Sequence, residues 1–227
     1  MNEQSYILNE GKYCMAKAFD FKKECKDLYL PKTEPNIIDV PEILFIMING
    51  TGNPNTSDAY KNALEVLYGL SYSIKMSKMS GMQPNGYFDF IVPPLEGLWW
   101  LKDGGVITGT LNKDNFCWTS MLRQPEFVTN EVFEIAKFTL LKKKPNLDLS
   151  AARLVKVKEG LCAQMLHIGP YDSEPTTIAV LEKFIEKSGY TSDFDSGRRH
   201  HEIYFSDPRK TVPDKLKTVI RYPIVKS

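Results

Sequence analysis

Short matches recur in the same order in the two halves of the chain, and a repeat limits the possible folds more tightly than any single segment does. Gly52 matches Gly169 and Leu64-Glu65 matches Leu181-Glu182 at a shared offset of 117 residues; Asp89-Phe90 matches Glu202-Ile203 at 113, and Arg123-Gln124-Pro125 matches Arg221-Tyr222-Pro223 at 98. Loops of unequal length between two copies of one module would shift the offset in this way. Local signals repeat as well. Residues 43–48 are an apolar run between Pro41 and the Asn49-Gly50-Thr51-Gly52 turn, which suits a buried strand. Thr56-Ser57-Asp58 supplies caps for a helix with Tyr60, Ala63, Leu64, Leu67, Leu70 and Ile74 on one stripe. Gly81 and Pro84-Asn85-Gly86 end that helix, residues 87–92 read as the next strand, and residues 116–123 as another.

In the second half, residues 153–157 and 161–168 read as a hairpin about Glu159-Gly160. Ser173 caps a helix with Pro175 in its first turn and Ile178, Leu181, Phe184 and Ile185 on its stripe, and residues 200–205 and 216–222 close as strands. A helix capped at Thr129 or Asn130 and ending in Lys142-Lys143-Lys144 connects the halves.

The order implies an α+β fold: a duplicated strand-helix-strand-strand module whose antiparallel sheet carries helices on one face and a ligand groove on the other. Residues 1–35 form an N-terminal arm, its marginal helix ended by Pro31 and Pro35. Residues 36–227 form one domain, with repeat one at about 42–125, the connector at about 129–144 and repeat two at about 151–225. Alternation along a strand puts Phe88, Phe90 and Val92 on one face and Tyr87, Asp89 and Ile91 on the other; it separates His201, Ile203 and Phe205 from His200, Glu202 and Tyr204 in the same way. The second set of each pair carries a carboxylate at matching positions, so the groove is a small-molecule site in outline.

With 29 Lys plus Arg against 28 Asp plus Glu and no basic block, nothing draws the chain to nucleic acid or a membrane surface. No stretch approaches the roughly 18 apolar residues of a membrane span. Cys14, Cys25, Cys117 and Cys162 are scattered without a C-x-x-C pair and no apolar signal segment opens the chain, so a reduced, cytoplasmic protein is expected. His200 and His201 are strand neighbours pointing opposite ways, which argues against a metal site. No G-x-S-x-G, P-loop or G-x-G-x-x-G occurs, and no cofactor is expected. Oligomeric state is left open.

His167-Ile168-Gly169-Pro170-Tyr171, His201-Glu202-Ile203-Tyr204 and Thr218-Val219-Ile220-Arg221-Tyr222-Pro223 resemble motifs of the GyrI-like small-molecule-binding domain, a bacterial module found alone or fused to transcription regulators. The 93–100 stretch PPLEGLWW, residues 118–125 and the Glu159-Gly160-Leu161 turn look like its stand-alone branch, which includes cyclopropanoid cyclopropyl hydrolases that confer xenobiotic resistance. The resemblance covers residues 36–227 and implies binding of planar hydrophobic or cationic molecules in an aromatic cage. It carries over Glu202 as the buried acid that polarises an attacking water, and Tyr171 as a ring at the mouth whose hydroxyl meets the developing phenolate. Trp99, Trp100, Trp118 and Tyr204 become cage candidates beside Tyr87. Of the adjacent tryptophans one faces the groove, and Trp100 is favoured. Glu202 alternatively pairs with Arg123 or Arg221 as a structural acid. Glu96 is a rim acid or a solvated turn residue, and the helix dipole suffices to explain Glu174. Residues 1–40 are too short and proline-broken for a helix-turn-helix. The other functional reading is a non-catalytic module that sequesters xenobiotics or acts as an effector-binding unit on a regulator or topoisomerase.

Overall fold

The computed structural model describes residues 17–105, 112–194 and 197–227; residues 1–16 of the expected arm and part of the loop after Gly105 lie outside these. The chain runs α1 (Phe21–Glu24), α2 (Lys26–Tyr29), β1 (Asn36–Thr51), α3 (Asp58–Lys75), β2 (Glu96–Leu101), β3 (Phe116–Arg123), α4 (Asn130–Lys143), β4 (Arg153–Ile168), α5 (Glu174–Lys187), β5 (Tyr190–Ser192), β6 (His200–Tyr204) and β7 (Lys217–Lys226). The fold is α+β. The strand order is β4-β1-β3-β2-β6-β7-β5, and β4 pairs with β7 as well as with β1, closing a barrel-like antiparallel ring with β5 appended to β7. One half supplies β1, β3 and β2, the other β4, β7 and β6, and they join at β2–β6 and β1–β4. Among the described residues no helix is long and apolar enough to cross a membrane.

The expected caps on α3 and α4 form. Ser57 Oγ accepts from the Tyr60 amide at 3.3 Å and Thr129 Oγ1 from the Val132 amide at 3.2 Å. Ser173 does not cap α5: its hydroxyl donates to the Pro170 carbonyl at 2.7 Å, and a 3-10 turn over Tyr171–Ser173 leads into the helix.

Three strand expectations change. Strand β1 continues through Pro41, because its missing N–H falls at a rung the register skips, between Val40 opposite Gly160 and Glu42 opposite Lys158. The 153–168 segment is one strand rather than a hairpin. Residues 153–164 pair with β1 and residues 162–168 with β7, and Gly160, at φ +66°, lies within the β1-paired stretch, in a backbone conformation that glycine adopts readily. Residues 87–92 form no ladder strand; Phe90 makes only an isolated bridge to Phe19. The place beside β6 belongs to β2, so Asp89 is not the counterpart of Glu202. Lys75 and Lys78 hold Asp89 at 3.4 and 2.6 Å.

Partners across an antiparallel ladder share a face. Ser120, Gly97, Glu202, Ile220 and Met165 therefore form one row, and Met121, Glu96, Ile203, Val219 and Leu166 a row on the other side. On the first face α5 buries Ile178, Leu181 and Ile185 against Ala163, Met165 and Ile220, while α3 packs on β1 and β3. Each fully buried side chain of this size is worth roughly 1.5–3 kcal/mol. The second face, expected to be open, is covered by α1 and α2. Phe21, Leu28 and Tyr29 are buried there, Arg221 donates to the Leu28 carbonyl at 2.8 Å, and the Tyr29 hydroxyl donates to Glu96 Oε1 at 3.0 Å.

Gly50 lies opposite Trp118, and a Cβ there would come within 2.2 Å of the indole ring. Gly50→Ala is expected to destabilise the fold by about 1–3 kcal/mol through overpacking, read as a lower urea midpoint.

Candidate functional site

A cavity of about 1340 Å³ opens between α3 and α5 over β2 and β6. It thus shares the helical face of the sheet rather than occupying the opposite one. The two helices leave the central β2–β6 pair uncovered between them, while α1 and α2 fill the other face. Tyr60, Leu64, Tyr68 and Tyr72 of α3 form one wall, Tyr171, Glu174 and Ile178 the other, and Trp99, His200, Glu202 and Tyr204 lie between.

Glu202 has a polar neighbour at each oxygen. Tyr204 donates its hydroxyl proton to Oε2 at 2.8 Å, and Oε1 lies 3.0 Å from His200 Nε2. Trp99 Nε1 donates to the Tyr204 hydroxyl oxygen at 2.9 Å. Gly97 makes this contact possible, since a Cβ there would come within 2.6 Å of Trp99 Nε1 and 3.3 Å of the Tyr204 hydroxyl. His200 is 1% exposed, whereas the Glu202 side chain keeps 13% accessible, so one edge of the carboxylate faces the cavity. The phenols are donors across the neutral range. Burial, then the charges of Glu174 and Glu202, push Tyr171 up to about 12, and burial followed by Glu202 raises Tyr204 well above the ordinary phenol value. The Tyr171 ring meets that of Tyr204 edge to face, at 5.9 Å between centroids.

The family sequence model of the GyrI-like small molecule binding domain matches residues 33–225. The chain belongs to this family.

A crystal structure of an uncharacterized conserved protein from Listeria innocua is similar, with a TM-score of 0.86 and 48% identity over 91% of this chain and all of that one. A second, described as a hydrolase from Listeria innocua, shares 46% identity over 91% of this chain and all of its own length, with a TM-score of 0.83. The EcmrR C-terminal domain has the same fold at 13% identity and a TM-score of 0.52, over 86% of this chain and 98% of that domain. No curated protein matches the chain.

In this GyrI-like domain the expected site residues separate into three groups. Glu202, Tyr171, Tyr204 and Trp99 line the cavity. Trp118 stands behind it, 1% exposed and edge-on to Tyr60 at 4.9 Å. Trp100 and Tyr87 lie elsewhere. Trp99 pairs with His200, so alternation along β2 turns Trp100 to the other face, where the Arg199 guanidinium sits 5.2 Å from its ring. Tyr87 donates to the Lys75 carbonyl at 2.6 Å and packs against Phe127.

The expected structural partners of Glu202 are also elsewhere. Arg221 binds Glu159 at 2.9 Å on the second face, and Arg123 lies over the Phe21 ring. Glu96 is neither rim nor solvated: it is 2% exposed and 3.0 Å from His201 Nε2. His200, two residues from Glu202 on the same strand face, is the partner that sequence reasoning missed. Glu174 was missed too. It is 7% exposed, lines the cavity, and falls one helical turn before the inward-facing Ile178.

Proposed function

We propose that this GyrI-like domain binds planar hydrophobic or cationic molecules between α3 and α5 and hydrolyses cyclopropanoid DNA-alkylating compounds there, protecting the cytoplasm from them. The observation that carries this reading is Glu202, held by the Tyr204–Trp99 pair beside His200, with one carboxylate edge open to a cavity walled by aromatic rings. The name hydrolase borne by a relative 46% identical in sequence points the same way.

Rings stack on a flat ligand and orient it. Glu202 takes a proton from water as the water oxygen bonds to the cyclopropane methylene. The strained carbon–carbon bond breaks, and its electron pair moves through the conjugated dienone to the carbonyl oxygen, which becomes a phenolate met by the Tyr171 hydroxyl. Incubation with a duocarmycin-type substrate, followed by mass spectrometry, should show many equivalents of the water adduct per protein. Stoichiometric capture without turnover would instead establish a sequestering module.

A further inference from the structure

Of the carboxyls that line the cavity beside Glu202, Glu174 is buried while Glu65, Asp172 and Asp207 are more exposed, and nothing in the reaction so far uses it. It opens α5 with its side chain in the cavity wall, and its Oε1 has no hydrogen-bond partner among the described residues. Among the described residues no ion pair joins it to a cation: Lys113 at the same rim is 3.4 Å from Asp172 instead. A buried carboxyl with a free oxygen and no counter-ion is costly as an anion, and a ligand group is the partner left for it. The dipole at the start of α5 favours the charged form, but by only about 0.3–1 kcal/mol at ordinary surface sites.

We propose that Glu174 is the acid of this site, donating a hydrogen bond and then its proton to the oxygen that gains charge when the ring opens. The inference rests on the hydrolytic reading of the Glu202 pocket and makes Glu202 its base and Glu174 its acid. The groups facing Glu174 are Glu202 from β6, Asp172 and Tyr171 from the turn before α5, Lys113 from the turn before β3, Thr218 from β7, and Tyr204 and Tyr222. Burial first, then the Glu202 charge, raise Glu174 well above the ordinary carboxylate range, with Lys113 and the Thr218 hydroxyl offsetting part of this. A buried, raised carboxyl placed beside a second one can serve as acid where the other serves as base.

The step balances. Water gives its proton to Glu202 and its oxygen to the methylene carbon, and the carbon–carbon electron pair ends on the dienone oxygen. Glu174 supplies the proton that makes that oxygen a neutral phenol. Proton exchange with solvent then returns Glu202 to the carboxylate and Glu174 to the acid. Tyr171 keeps its hydrogen bond to the same oxygen without losing its own proton.

The test compares wild type with Glu174→Gln on two cyclopropanoid dienones, one giving an ordinary phenol and one a phenol acidified by electron-withdrawing groups. Affinity for the ring-opened product is measured by calorimetry. Glu174→Gln keeps the size and a hydrogen-bond donor but has no proton to transfer. Expected are a kcat about 10²-fold lower on the first substrate, recovery of most of that loss on the acidified one, product affinity within about tenfold, and loss of the alkaline limb of the pH profile. Equal losses on both substrates, or an unchanged kcat, overturn the acid role while leaving hydrolysis by Glu202 in place. A product affinity that falls as far as kcat makes Glu174 a structural group and also overturns it. A wild-type protein that binds but turns nothing over removes the hydrolytic reading itself, and the acid role with it.

Discussion

Glu202→Gln is expected to cut hydrolysis of a cyclopropanoid substrate by roughly 10²–10⁴-fold while leaving ligand affinity within about tenfold. The expectation follows from what the side chain touches. Its Oε2 accepts from Tyr204 and its Oε1 faces His200, and an amide can satisfy both neighbours because its oxygen still accepts from the tyrosine. The aromatic wall made by Tyr60, Trp99 and Tyr171 is unchanged, so stacking is kept. What is lost is the ability to take a proton from water. Steady-state turnover beside direct binding of the ring-opened product separates the two effects, and a thermal melt within a few degrees of wild type shows that the fold is intact. Turnover equal to wild type would remove Glu202 from the chemistry.

The parts of this site that were legible in the sequence are those set by local rules. The helices were readable because Ser57 and Thr129 cap their own first turns. Alternation alone puts His200, Glu202 and Tyr204 on one face, whatever lies beside them. Choosing between Trp99 and Trp100 needed the neighbour: only the register that sets Trp99 opposite His200 decides which ring reaches the cavity. Strand choice failed for the same reason. Residues 87–92 have strand-like composition, but β2 occupies the ladder position between β3 and β6, and propensity does not encode that competition. Glu174 looked explained by its helix start, and only its burial beside Glu202 shows a group that the dipole does not account for. The polar network on the second face joins residues more than 60 positions apart, such as Arg221 and Glu159, and no spacing rule reaches that far.

That network carries the largest stability effect expected of a single substitution here. Arg221→Leu should cost about 3–5 kcal/mol, because it leaves the half-buried Glu159 without its arginine and frees the buried Gln164 and the Leu28 carbonyl of their donor. Urea unfolding would show it, and a loss below about 1 kcal/mol would mean that the buried charges are dispensable. His201 makes the same network sensitive to pH. Burial opposes its charge, but the carboxylates of Glu159, 2.9 Å from Nδ1, and Glu96, 3.0 Å from Nε2, together outweigh burial and lift it from 6.5 to about 9. A group raised on folding gives stability that is complete below its unfolded value and disappears as pH climbs through its folded one. The His201 contribution, up to about 3 kcal/mol, is therefore full below pH 6.5 and lost toward pH 9. Glu159 behaves in the opposite sense: despite burial, His201 and Arg221 hold it down from 4.5 to about 2, so its contribution is present above pH 4.5 and lost toward pH 2. One attraction shifts both partners and is not counted twice, so the two limbs bound a single plateau between about pH 4.5 and 6.5. His201→Gln should flatten the alkaline limb of the stability profile and shrink the acid limb to the part that Arg221 sustains. An alkaline limb that survives the substitution would place its origin elsewhere. Because Arg221 and Glu96 also hold Leu28 and Tyr29, the segment released first at high pH should be α1 and α2, and hydrogen exchange at those amides should rise before exchange in β6 and β7.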